Sequence, residues 1–160
     1  MRLIPLSEAG RPTEPLPDLP KEALEVGDAY VGLYKSVGYQ PPWLGYLAMM
    51  NDLCVGSCGF KSPPKDGRVE IAYFTFPAHE GKGIATQMAG RLVEIAVEAA
   101  PHVIIAAQTL PKEGPSTKIL RKLGFKNVGT IHHPEDGPVW EWHLVQPGAA
   151  ADAASQRPRG

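Results

Sequence analysis

The sequence predicts a mixed α/β domain, and three segments predict it. Val69-Glu-Ile-Ala-Tyr-Phe-Thr-Phe76 is rich in apolar and aromatic residues that favour extended chain, and Pro77 ends it. Across Gly81 and Gly83 it runs into a helix. Val103–Thr109 is almost continuously apolar, the pattern of a strand buried on both faces. Ser116–Gly124 reads as a short helix ended by glycine, with Phe125 opening another strand.

Taken in order, Met1–Leu6 is a first strand, and Arg11–Pro20 holds four prolines and must be an extended loop. Leu19–Val37 has helical spacing in Leu24, Tyr30, Val31 and Tyr34, but Gly27 and Gly32 interrupt it, which points to two short helices. Trp43–Met50 and Leu53–Lys61 form a hairpin turned at Asn51-Asp52. Arg68–Phe76 joins it after the loop Pro63-Pro64-Lys65-Asp66-Gly67. In the next helix Ile84, Met88, Leu92, Ile95, Ala96 and Ala99 recur at three- and four-residue spacing, Gln87, Arg91, Glu94 and Glu98 fall elsewhere, and Pro101 stops it. Lys126–His132 and Val139–Val145 make a last hairpin around Pro134-Glu-Asp-Gly137. Within it Trp140 and Trp142, destined for the core, alternate with Val139, Glu141 and His143. The segment 146–160 is rich in Ala, Gly and Pro with little to bury, so disorder is expected there.

Composition bounds the possibilities. A chain of 160 residues at 43% hydrophobic supports one globular domain, over residues 1–145. Its formal net charge of −1 comes from 16 basic and 17 acidic residues, well mixed, which gives no broad attraction for nucleic acid or an anionic membrane. No apolar run reaches membrane-spanning length, and Met1-Arg-Leu-Ile-Pro-Leu6 is broken too soon by proline to be a signal peptide. Cytoplasm is the expected location. Cys54 and Cys58 lie on one strand, where four residues span roughly 13 Å, too far for a disulfide's Cα limit of roughly 7 Å. They read as buried free thiols. A Cys-x-x-x-Cys metal pair would need two further ligands, and His132-His133 reads as a hairpin end, so no metal is expected.

The turn between strand and helix carries the chemistry. Gly81 and Gly83 remove side chains, so main-chain N–H groups can approach a ligand closely. The helix that follows aims its free N–H groups and positive dipole end at the same place. Such a turn binds an anion, most often phosphate. It is neither a P-loop, because glycine follows Gly81-Lys82, nor a dinucleotide fingerprint, because Thr86 stands three after Gly83.

Here the chain resembles the GNAT acyltransferase superfamily, whose members move an acyl group from coenzyme A to an amine. The family's Gln/Arg-x-x-Gly-x-Gly/Ala turn is matched by Glu80-Gly81-Lys82-Gly83-Ile84-Ala85, and its Lys-Leu-Gly-Phe helix end by Lys122-Leu123-Gly124-Phe125. Ser116 ahead of that helix is most similar to the Rim-type branch, which includes acetyltransferases of protein N-termini. The likeness covers roughly residues 44–145. It implies a mostly antiparallel central sheet of six to seven strands flanked by about four helices, with splayed central strands. It implies acetyl-CoA as donor, its pantetheine arm paired with Phe74, Thr75 and Phe76 and its pyrophosphate held by amides from Gly81 through Lys82, Gly83, Ile84, Ala85 and Thr86. Dimerisation is common in such folds, but no segment here specifies an interface.

For the chemistry, the resemblance points to Glu70, at the start of the splayed strand, as general base, acting directly or through a water. Its alternative is a glutamate on an exposed strand face. Ser116 is the candidate acid near the sulfur, with a helix N-cap as its alternative role. Three departures stand out: Glu80 in a Gln/Arg slot, Leu120 where many members carry tyrosine, and Glu113 where Asn is usual. Tyr39 and Trp43 are candidates for the acceptor cleft or for plain packing. The expected function is acetyl transfer to a primary amine, with a catalytically silent CoA-binding sensor and an unrelated phosphate-binding module as alternatives.

Overall fold

The computed structural model describes residues 1–147. The chain forms β1 (Arg2–Pro5), α1 (Lys21–Val37), β2 (Gly45–Met50), β3 (Leu53–Phe60), β4 (Arg68–Thr75), a 3-10 turn (Pro77–His79), α2 (Ile84–Ala99), β5 (Ile104–Thr109), α3 (Pro115–Lys122), β6 (Lys126–His133) and β7 (Gly137–Val145). The seven strands are ordered β1-β2-β3-β4-β5-β7-β6. Only β4 and β5 pair in parallel; every other pair is antiparallel. This is the mixed, mostly antiparallel architecture the sequence predicts, with three α-helices among the described residues rather than about four. Two compact units divide the chain, Met1–Pro63 with Ile71–Leu92, and Pro64–Glu70 with the residues from Val93 onward.

The helix count differs because 21–37 is one continuous helix. Gly27 does not break it; Gly27 lets the loop from β1 press against it. A Cβ at Gly27 would stand 2.2 Å from the Gly10 carbonyl oxygen, and one at Gly10, itself at φ 76°, 2.3 Å from the Gly27 oxygen. Close backbone approach, not flexibility, explains the glycine. The core of this unit gathers Ile4, Leu6, Ala23, Leu47, Met49, Cys54 and Phe76, with Leu19, Val26 and Tyr30 packed on it. Buried Tyr34 ties α1 down: its hydroxyl donates to the Leu6 carbonyl at 3.0 Å and accepts from the Gly45 amide at 2.9 Å. The β2–β3 hairpin turns at Asn51, which takes the left-handed conformation (φ 57°) that Asn tolerates. Both cysteines are buried and free.

In the second unit, β5 is the buried strand the apolar run predicts, with Ile105, Ala106 and Ala107 at 2% exposure or less. Trp142 on β7 is buried as expected, and its indole N–H donates to Thr109 Oγ1 at 3.0 Å. Arg121 of α3 lies 5.1 Å over the same ring. The expected loose tail begins later than Gln146. That side chain is buried and donates to the carbonyls of Ala100 (3.0 Å) and Val103 (2.6 Å), closing the turn between α2 and β5. The remainder of the expected tail, 148–160, lies outside the described residues. Among those described, no helix is long and apolar enough to cross a membrane.

Candidate active site

The glycine turn has the geometry its residues predict. Gly81 and Gly83 sit at φ 77° and 75°, a region L side chains rarely occupy. No other atom lies within 4 Å of a Cβ built at either one. The turn is therefore an open cradle that side chains would fill. Gly81, Lys82, Gly83 and Glu80 are exposed, so neither charged side chain is bound into the fold. Ile84 is buried at the first turn of α2 and anchors the helix start, while Ala85 and Thr86 stay partly open. Gly83 O accepts from Gln87 N at 3.2 Å, which leaves the preceding amides at the helix mouth.

Upstream, β4 bonds to β5 only over Arg68–Glu70, whereas residues 71–75 pair with β3. Phe76 N donates to Val55 O at 2.9 Å. Alternate residues of a strand turn their backbone groups to opposite sides, so Thr75 and Tyr73 are the residues whose main chain faces away from β3. Of the three residues expected to meet a pantetheine arm, Thr75 is thus the one with backbone groups to offer. Phe74 contributes a half-exposed ring, 5.7 Å from that of buried Phe76.

Ser116 lies exposed in the second position of α3, beside a cavity of about 120 Å³ lined also by Thr109, Leu110, Glu113, Gly114 and Thr117. It is not the N-cap. The cap position is Gly114, whose amide donates to Thr117 Oγ1 at 3.0 Å. Glu113 takes two hydrogen bonds from Arg121, at 2.5 and 2.7 Å, and these bonds, with one from Thr117, hold its carboxyl down at about 2. The family's Asn slot therefore carries an ion pair that pins the front of α3 to its end. Leu120 is fully buried core.

Glu70 is not on an exposed face. It is 9% exposed, and its Oε1 accepts from Arg68 Nη2 at 3.1 Å. The same Arg68 nitrogen donates to Glu141 Oε1 at 2.5 Å. Gln108 Nε2 donates to that oxygen at 3.3 Å, and Glu141 Oε2 lies 2.7 Å from His143 Nε2. Burial pushes the Glu141 carboxyl upward, but the bonds from Arg68, His143 and Gln108 outweigh it and hold it below its ordinary value. Sequence reading missed Arg68, Gln108, Glu141 and His143 as a group. The one available signal was the alternation in Val139–His143, which puts both polar residues on the face opposite Trp142.

Tyr39 and Trp43, the other candidates, pack edge-on against Tyr34 (5.1 Å) and Phe60 (5.0 Å). Burial raises the thiols of Cys54 and Cys58 to about 11 and about 12, so neither is a ready nucleophile. Among the described residues no group of three or more His, Cys, Asp or Glu is gathered for a metal.

An open glycine cradle before a helix, on a sheet whose parallel ladder stops after three rungs, defines a GNAT-type fold. Residues 19–126 match the acetyltransferase (GNAT) domain, and the chain belongs to that family. It is 32% identical over 85 residues to the uncharacterized N-acetyltransferase p20 of Bacillus licheniformis, covering 52% of this chain and 48% of that protein. The chain thus spans about half the length of the curated relatives it matches. Two solved structures share the fold. RimL, a ribosomal L7/L12 α-N-protein acetyltransferase in complex with coenzyme A, superimposes with a TM-score of 0.63 at 16% identity, over 80% of this chain and 73% of RimL. The yncA protein of Salmonella typhimurium, solved with its cofactor acetyl-CoA, gives 0.56 at 21% identity, over 78% and 72%.

Proposed function

We propose that this chain transfers an acetyl group from acetyl-CoA to a primary amine, a protein N-terminus or a small-molecule amine, directly in a ternary complex. One observation carries the reading: in a GNAT chain, two left-handed glycines stand empty-sided at the mouth of α2. Pyrophosphate fits there because amides and the helix dipole converge while no side chain obstructs. The amides of 81–86 hold it, each charge-assisted bond contributing roughly 1.5–3 kcal/mol, and the outward backbone of Thr75 guides the arm. The bound donor supplies an activated thioester. No enzyme nucleophile is needed, in keeping with the two buried thiols.

The chain's own residues then handle protons. Presenting a lysine-like amine neutral at pH 7 costs about 4.6 kcal/mol, a peptide α-amine only about 1. Glu70 receives that proton, directly or through water, and its carboxylate draws the ammonium in beforehand. The departing thiolate needs only a weak acid, and exposed Ser116, beside the cavity at the start of α3, supplies it. A cytoplasmic setting goes with this reading, and two buried free thiols are compatible with it. The test is thiol release from acetyl-CoA over a panel of N-terminal peptides, polyamines and amino acids, run beside CoA thermal shifts. Transfer to at least one amine is expected. Silence throughout with CoA binding intact would return the protein to the sensor class.

A further inference from the structure

We propose that His143, oriented by Glu141, is a second proton acceptor of the transfer reaction, with Arg68 and Gln108 as positioning residues. This rests on the acetyl-transfer reading above. Arg68 and Glu70 on β4, Ala106 and Gln108 on β5, and Glu141 and His143 on β7 occupy alternate positions in register, so their side chains share one face of the sheet. Glu70, Ala106 and His143 form a single row across three strands. Two strand spacings put the outer pair roughly 10 Å apart. Arg68 reaches diagonally across that row to Glu141, which the small Ala106 side chain permits.

The tautomer follows from the contacts. Glu141 accepts from Arg68 and Gln108 on Oε1, so it is ionised, and a 2.7 Å contact from its Oε2 to His143 requires the hydrogen on Nε2. In the neutral imidazole Nδ1 then carries the lone pair. It makes no hydrogen bond among the described residues, and the imidazole is 22% exposed where the Glu141 side chain is 12%. A base held by a carboxylate on one nitrogen and bare on the other is the arrangement proton-transfer sites use.

The charged groups facing His143 are Glu141 on its own strand, Lys126 opposite it on β6, and Glu70 and Arg68 beyond Ala106. As the amine nitrogen bonds to the acetyl carbon and the carbon–sulfur bond breaks, the amine proton passes to Nδ1, directly or by way of Glu70 or water. The electron pair leaves on sulfur, which takes a proton from water or from Ser116, whose hydroxyl is restored by a proton from solvent. The imidazolium then releases its proton to solvent.

His143→Gln tests this, because the Gln amide still donates to Glu141 but cannot take a proton. We expect kcat/KM on the best amine of the panel to fall at least tenfold, with the acidic limb of its pH profile lost and the CoA thermal shift unchanged. Arg68→Lys, which loosens Glu141, should move that limb rather than remove it. Nitrogen-15 shifts of the wild-type imidazole should show a protonated Nε2 and bare Nδ1 above the transition. Wild-type rate and limb in His143→Gln, or a protonated Nδ1 tautomer, would overturn the proposal while leaving acetyl transfer standing. Failure of the wild type on every amine would instead remove the transfer reading and this proposal together.

Discussion

Replacing Gly83 separates what the fold asks of the turn from what the donor asks of it. In the ligand-free protein the position costs only backbone: φ is 75° and no atom lies within 4 Å of an added Cβ. Gly83→Ala should lose about 1–2 kcal/mol for a left-handed L residue, or about 2–8 °C of Tm at this chain length. Gly83→Asn should lose less, since Asn accepts that conformation. Binding should respond differently. CoA at a hundredfold its Kd adds about 2.7 kcal/mol, or roughly 5–11 °C. In the proposed function either side chain would stand where the pyrophosphate approaches, and one lost amide contact of 1.5–3 kcal/mol would weaken binding about 10- to 150-fold. At the wild-type saturating concentration both variants should then show a shift about two- to ninefold smaller. Differential scanning fluorimetry with and without CoA reads both effects in one experiment. A Gly83→Asn protein that keeps the full CoA shift would refute the close-approach argument, because it restores the backbone and obstructs only the ligand.

Other consequences are structural. Gly27→Ala should destabilise despite a helix-propensity gain of about 1 kcal/mol, because its methyl would stand 2.2 Å from a backbone oxygen and overpacking costs about 1–3 kcal/mol; a raised urea midpoint would contradict this. Gln146→Ala strips the amide from two buried carbonyls and should cost about 1–3 kcal/mol. Glu113 ties its pH dependence to Arg121 first and Thr117 second. Because its folded pKa is depressed from 4.5 to about 2, the stability it contributes is present above 4.5 and lost as pH falls toward 2. Glu113→Gln should flatten the fall of Tm between those values, and identical slopes would dismiss the ion pair. Glu70→Gln should lower turnover with CoA binding intact, and unchanged turnover across pH would clear Glu70 of the base role.

Much of this molecule is written locally. The alternation of β4, the three- and four-residue spacing of α2, Pro77, the glycines at 81 and 83 and the helix end at Gly124 each act through a few neighbouring dihedrals and side-chain directions. A reader of the sequence therefore finds the strands, the glycine turn and the family. What stayed hidden depends on partners far along the chain. Gly27 looks like a helix breaker until Gly10 is seen against it, and Gln146 looks like tail until two carbonyls meet it. The Arg68–Glu141 pair joins residues 73 positions apart. Only the register of β4 on β5 and of β5 on β7 brings them together, and one residue of slip would send every side chain to the opposite face. Local sequence decided which segments are strands, and packing decided their register and so which charges share a face.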